Sequence, residues 1–136
     1  MLRWDERYRL GNLDIDMQHR KLFELVNNLS QMAKIGITPE LSRIIEELKA
    51  YARLHFKFEE SVFSKSEYHN IDSHIRAHDK FIFRVNSFER ILEENKEDLD
   101  ISIIVNFLNS WLITHILQED MEYKRFILTT DITHEQ

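Results

Sequence analysis

The chain is 136 residues long, 43% hydrophobic and 11% aromatic, which is the size and composition of one globular domain with its own core. With 2 Gly and 1 Pro it lacks the turn residues an all-β fold needs, and with no Cys it excludes disulfide scaffolds, thiolate metal sites, iron–sulfur clusters and thiol nucleophiles. Lys and Arg total 18 against 24 for Asp and Glu, and this net charge of −6 is opposite in sign to that of a nucleic-acid binder.

The N-terminus, MLRWDERYRL, carries early charges and no apolar run, so it does not read as a signal peptide, and the cytoplasm is the expected address. An arm of about residues 1–15, which holds Gly11, precedes a first helix at about 16–35 with an apolar stripe of Leu22, Val26, Leu29 and Ala33. Gly36, Ile37, Thr38 and Pro39 supply a break, an N-cap and a Pro at the first helical position. They open a second helix at about 39–64, striped by Leu41, Ile44, Leu48, Ala52 and, after a gap, Val62. Residues 65–70 show no apolar period and read as a loop. A third helix at about 70–93 carries Ile71, then Phe81, Val85, Phe88 and Leu92. Residues 93–98 are acidic and polar, and Asp100 can cap a fourth helix at about 100–120 with Ile101, Ile104, Leu108 and Trp111. Residues 121–136 are left as a short C-terminal tail.

Residues 101–118 carry no charge when their histidine is neutral, but they are short for a membrane span and include Ser102, Asn106, Asn109, Ser110 and Thr114. They read as a core helix and no membrane is expected. Short connections make consecutive helices antiparallel neighbours, so the expected architecture is all-α: one domain over 1–136, an up-down-up-down four-helix bundle.

The seven histidines are the unusual feature. Each apolar stripe, extended by its own period, meets an ionisable residue. The first reaches His19. The gap in the second is filled by His55 and Glu59, and the gap in the third by His74 and His78. The fourth continues to His115. All four helices therefore aim a polar group at the core, where a charge is costly unless it is paired or metal-bound. His55/Glu59 and His74/His78 are i,i+4 pairs, so each pair shares one helix face and can converge on one ion. Either pair alone is a weak signal, because such spacings arise by chance and a core histidine can simply be hydrogen-bonded. The four-helix constellation is the stronger sign. Imidazole and carboxylate donors without thiolate suit iron, zinc, manganese or copper. His69 and His134 lie off every stripe and read as surface residues. Asp120 stands five residues after His115, which leaves it about 140° off that face in an α-helix. A π-bulge or a helix end would be needed to bring it in, and periodicity does not choose it over Glu119.

The ordered set resembles the hemerythrin family over nearly the whole chain, most of all its single-domain bacterial members. The resemblance rests on Trp4, Tyr8, Gly11, Ile15, Asp16, Gln18, His19 and Leu22 in the pattern W…Y-x-x-G-x-x-x-I-D-x-Q-H-x-x-L; on His55, Phe56, Glu59 and Glu60 in H-F-x-x-E-E; on His74 and His78 in H-x-x-x-H; and on Trp111, Leu112, His115, Ile116 and Asp120 in W-L-x-x-H-I-x-x-x-D. It implies two iron ions with an oxo or hydroxo bridge. His74, His78 and His115 would hold one ion, His19 and His55 the other, and Glu59 and Asp120 would bridge them. One iron would then keep an open position, where dioxygen binds reversibly for carriage, storage or delivery. No enzyme activity is implied. Phe56, Trp111 and Leu112 resemble the family's apolar pocket wall, although plain core packing explains them equally. Gln18, Glu24 and Glu60 are candidates to accept the outer N–H of the histidines. The chain departs from many bacterial members after H-F-x-x-E-E, where Phe63, Tyr68 and His69 replace a Met and a Tyr-Pro.

Three other readings compete. A ferritin-like oxidase needs Glu three residues before a histidine, and no Glu stands there. An HD-type metal-dependent phosphohydrolase could use His55, His78, Asp79 and Asp120, but Asp79 should point away from the face of His78 and four inward residues would go unexplained. A di-iron sensor of oxygen or nitric oxide acting through an unidentified protein partner keeps the site and changes its use. A single-domain chain favours carriage or storage.

Overall fold

The structure is a computed structural model that describes residues 2–36, 38–94 and 100–135, with side chains described as far as residue 129. The acidic run at 95–98 and the side chain of His134 lie outside the described residues.

A single turn of 3-10 helix, Glu6–Tyr8, interrupts the N-terminal arm. The helices that follow are α1 (Leu13–Ala33), α2 (Pro39–Lys65), α3 (Ile71–Glu93) and α4 (Ile101–Thr114). A π-helical segment, His115–Asp120, joins α4 to α5 (Met121–Glu135). Three starts are capped by side chains, those at Thr38 and Asp100 as the sequence indicates. Asn12 accepts from Ile15 N at 3.1 Å, Thr38 accepts from Leu41 N at 3.3 Å ahead of Pro39, and Asp100 accepts from Ser102 N at 3.0 Å. Each such cap stabilises its helix by about 0.5–2 kcal/mol. α1 begins earlier than the apolar stripe suggests, because Asn12 caps it and Asp16 accepts from Leu10 N and Gly11 N, folding the arm onto the first turn. At Gly36, φ of +119° turns the chain out of α1, a conformation that favours a residue without Cβ.

The helices pack in the cyclic order α4, α1, α2, α3, with the α3–α4 seam filled by rings. There Phe81 lies 4.3 Å from Trp111, and Phe88 lies 5.5 Å from Phe107. The core contains Leu22, Val26, Leu29, Leu48, Ala52, Phe81, Val85, Phe88, Ile104 and Leu108, as the stripes predict. The second stripe is corrected in phase. Ile45 and Phe63 are buried where Ile44 and Val62 were expected, because a steady helical step from Leu41 runs through Ile45, Leu48, Ala52, His55, Glu59 and Phe63.

The expected tail is helical. No Gly or Pro follows Pro39, so nothing in the sequence breaks the fourth helix after Asp120. α5 pays for its order with a second small core, in which Tyr123 stacks on Phe63 at 3.6 Å and packs beside Tyr68, Leu10 and Ile15. Lys124 Nζ also donates to Arg9 O at 2.8 Å and ties the arm to α5. Ile101–Thr129 is the one helix among the described residues long and apolar enough to cross a membrane by length and composition, with a mean hydropathy of 1.3 in its most apolar window. In this fold its residues Ile104, Leu108, Leu112 and Ile116 are core residues of the bundle.

Leu29, with 0% exposure, tests this packing. Leu29→Ala is expected to lower unfolding free energy by about 2–5 kcal/mol in a denaturant titration, whereas Ile103→Ala on the exposed face of α4 should change it by less than about 0.5 kcal/mol.

Candidate metal centre

Four helices converge on one cluster in the middle of the bundle. His19 of α1, His55 and Glu59 of α2, His74 and His78 of α3, and His115 and Asp120 of the π segment are each 3% exposed or less. Each of these five histidines turns Nε2 inward. Glu59 Oε1 faces one half of the cluster, 2.5 Å from His74, 3.1 Å from His78 and 3.5 Å from His115. Its other oxygen, Oε2, faces the second half, 3.3 Å from His19 and 3.1 Å from His55. Asp120 divides in the same way: Oδ1 lies 3.3 Å from both His74 and His115, and Oδ2 lies 3.1 Å from His19. Both carboxylates therefore span the cluster, with three imidazoles on one side and two on the other. The donor atoms of Glu59, His74, His78 and His115 all lie within 4.8 Å of one another, as do those of His19, His55 and Glu59. Two donors on opposite sides of an ion at about 2.1 Å are at most about 4.2 Å apart, so each group needs only a small contraction to hold one ion.

Asp120 reaches the cluster because the helix widens. An α-helical spacing of five would leave it about 140° from His115. The π turn over His115–Asp120 takes up the extra residue and returns Asp120 to the same face.

The donor set fits a cation. Both Asp120 oxygens and His55 Nε2 are buried and make no hydrogen bond. Their neighbours are only 3.1–3.3 Å away, so it is the angles that fail and not the distances. A buried carboxylate without a hydrogen bond is costly, and one cation between the facing lone pairs would satisfy them together. Without a cation, His19 and His115 take up positive charge. Burial pushes the His19 and His115 pKa values down. For His19 the nearby Asp120 and Glu59 carboxylates outweigh burial and hold it at about 9, and for His115 the charge of Asp120 with contacts to Glu119 and Glu59 holds it at about 10. At His55 burial dominates and the pKa falls. Burial pushes Glu59 up, but the histidines around it, His55 foremost, hold it well below the usual carboxylate range.

Outside the cluster, carbonyl and carboxylate oxygens fix three of the rings. His55 Nδ1 donates to Gln18 Oε1 at 2.6 Å, His78 Nδ1 to Glu60 Oε2 at 2.7 Å, and His115 Nδ1 to Glu119 Oε2 at 2.8 Å. A neutral ring that donates through Nδ1 presents the lone pair of Nε2 inward, as a metal requires. Gln18 and Glu60 are among the residues expected for this role, and Glu24 is exposed instead. Glu119 was missed. Its signal is the i,i+4 step from His115, the same spacing that pairs His55 with Glu59.

Phe56 stacks flat on His78 at 3.9 Å and lies 5.8 Å from the His55 ring, so it walls both halves. Trp111 stacks on His115 at 4.5 Å, against the three-histidine half, and Leu112 is buried in the adjoining core. His69 is exposed. Asp79 is exposed too and lines a surface cavity beside Arg53 and Lys57, so it does not join His78 in a hydrolase-type dyad.

Residues 11–127 match the model of the hemerythrin HHE cation binding domain. The chain belongs to the hemerythrin family. It is 35% identical over 127 residues to a bacteriohemerythrin of Clostridium acetobutylicum, a match that spans 90% of this chain and 98% of that protein. It is 30% identical over 121 residues to a hemerythrin-like protein of Naegleria gruberi, with 89% of each chain covered. Its fold superposes on a crystal structure of wild-type hemerythrin with a TM-score of 0.84 at 25% identity, covering 92% of this chain and 96% of the other. The hemerythrin bundle and a His/carboxylate cluster able to hold metal are thus both present in this chain.

Removing an outer partner is expected to loosen metal binding without unfolding the bundle. Glu60→Ala, which frees His78 Nδ1, should weaken affinity for a divalent metal about 10–100-fold in a chelator competition titration. Unchanged affinity would show that the ring needs no such partner.

Proposed function

We propose that this cage holds two iron ions joined by an oxo or hydroxo group and binds dioxygen reversibly, for oxygen carriage, storage or delivery. His74, His78 and His115 hold one ion, His19 and His55 hold the other, and Glu59 and Asp120 bridge the pair. The observation that carries this reading is the split of three imidazoles against two across the same two carboxylates. An unequal donor count leaves a position open on the two-histidine side, and an open position is where a small ligand binds. The iron pair supplies two one-electron changes and a seat for a diatomic molecule.

The chain supplies rigidity and dryness. Gln18, Glu60 and Glu119 orient three of the rings through Nδ1. Phe56 and Trp111 stack on cage rings and, with the buried core around Leu112, would keep water from the centre. Reversible binding needs no protein acid or base. The other buried carboxylate, Asp16, is occupied by the backbone N–H groups of Leu10 and Gly11.

Visible absorption of iron-loaded protein tests the proposal: reduced without oxygen, then exposed to air, then deoxygenated. A band that appears with oxygen and bleaches on its removal is expected. A sample that binds two irons and stays colourless throughout, or a band that never bleaches, would overturn reversible binding.

A further inference from the structure

The cage is closed: its seven donors are at most 3% exposed, so a metal ion must reach them through the protein surface. Among the described residues, one surface cavity reaches His78 and another reaches His74. The first, of about 390 Å³, reaches His78 and is lined by Arg53 and Lys57 as well as Glu60 and Asp79. Its two cations offset its two carboxylates and stand against an incoming metal ion. The second is small, about 30 Å³, which is room for one water or one ion. It reaches His74 between the start of α3 and the end of the π segment, and its charged walls are Glu119 and Glu122 alone.

A pair of carboxylates would not by itself mark a route. The second observation is His74. It is 97% buried by its 3% exposure, and its Nε2 lies 2.5 Å from Glu59 Oε1 inside the cage. Its Nδ1 has no hydrogen-bond partner among the described residues, as is also true of the buried Nδ1 of His19 on α1, whereas the Nδ1 atoms of His55, His78 and His115 are all held. The one ring of the α3 pair left without an outer tether is therefore the ring that separates this cavity from Glu59. Glu119 is held by His115 Nδ1 at 2.8 Å, so Glu122 is the carboxylate that sets the sign at the cavity, and its full charge outweighs the partial positive charge of about +0.5 at the N-terminal end of α3. Asn70 Nδ2 donates to Glu122 Oε1 at 3.0 Å and fixes that carboxylate at the rim.

We infer that the cavity between Glu119 and Glu122 is the loading route for divalent metal, with Glu122 as the outer collecting carboxylate and His74 as the first cage residue to meet the ion. The inference rests on the cage being a metal site. It concerns the rate at which metal enters, and leaves the final occupancy unchanged.

The test mixes metal-free protein with Co²⁺, which is redox-inert here and coloured when bound by nitrogen and oxygen donors, and follows both uptake rate and final stoichiometry. Glu122→Gln keeps an oxygen to accept from Asn70 while removing the charge. It is expected to slow uptake about three- to tenfold at low salt with stoichiometry unchanged, and Glu122→Lys should slow it further. The wild-type rate should fall with added salt, and this dependence should flatten in Glu122→Lys. Asp79→Asn, at the other cavity, should load at the wild-type rate. Full uptake at the wild-type rate in both Glu122 variants, or equal slowing in Asp79→Asn, would overturn the route and leave the metal site standing. No Co²⁺ uptake by the wild-type chain would overturn the metal site and the route with it.

Discussion

The structure depends on a problem of charge. Five imidazoles and two carboxylates occupy the middle of a bundle whose remaining core is aliphatic and aromatic, and none of the seven is more than 3% exposed. Buried ionised groups cost several kcal/mol each unless they are paired and hydrogen-bonded. Here the pairing is incomplete, since both oxygens of Asp120 and one nitrogen of His55 face their neighbours at hydrogen-bond distance with unsuitable angles. One compensating positive centre in each half of the cluster resolves this. The remaining architecture serves to hold the two halves together: one carboxylate from α2, one from the π segment, and imidazoles from α1, α2, α3 and the π segment.

The same constraint explains which features were legible in the sequence. The bundle showed in the four apolar stripes, and the site showed as the places where those stripes are interrupted. Both come from one periodicity, so His19, His55, Glu59, His74, His78 and His115 are found on the inward face as directly as Leu29 or Leu108. Asp120 follows a different rule. Its contact with the cluster depends on a π turn, and helical periodicity cannot announce a departure from itself; only the resemblance to hemerythrins singled it out over Glu119. The two residues then divide the work, Asp120 within the cluster and Glu119 holding His115 from outside. The C-terminal segment, expected as a tail, is helical because no Gly or Pro interrupts it and Tyr123 can stack on Phe63.

Burial and access are in tension in such a site. A dry, rigid cage suits reversible binding of a small neutral molecule, which can pass between side chains as they fluctuate. A hydrated cation cannot pass so easily and needs polar groups along its path. Two surface cavities that touch cage histidines differ in this respect: one mixes both signs of charge, and the other has Glu119 and Glu122 as its charged walls beside the less tethered histidine of α3. Ligand and metal therefore need not share a route.

The proposed cage holds two ions that share Glu59 and Asp120. Diffraction from crystals of iron-loaded protein, recorded on both sides of the iron absorption edge, tests it most directly. Two anomalous peaks of similar height are expected, one among His74, His78 and His115 and the other beside His19 and His55, with the two carboxylates between them. A single peak, or two peaks of which one lies outside this cluster, would contradict the paired cage.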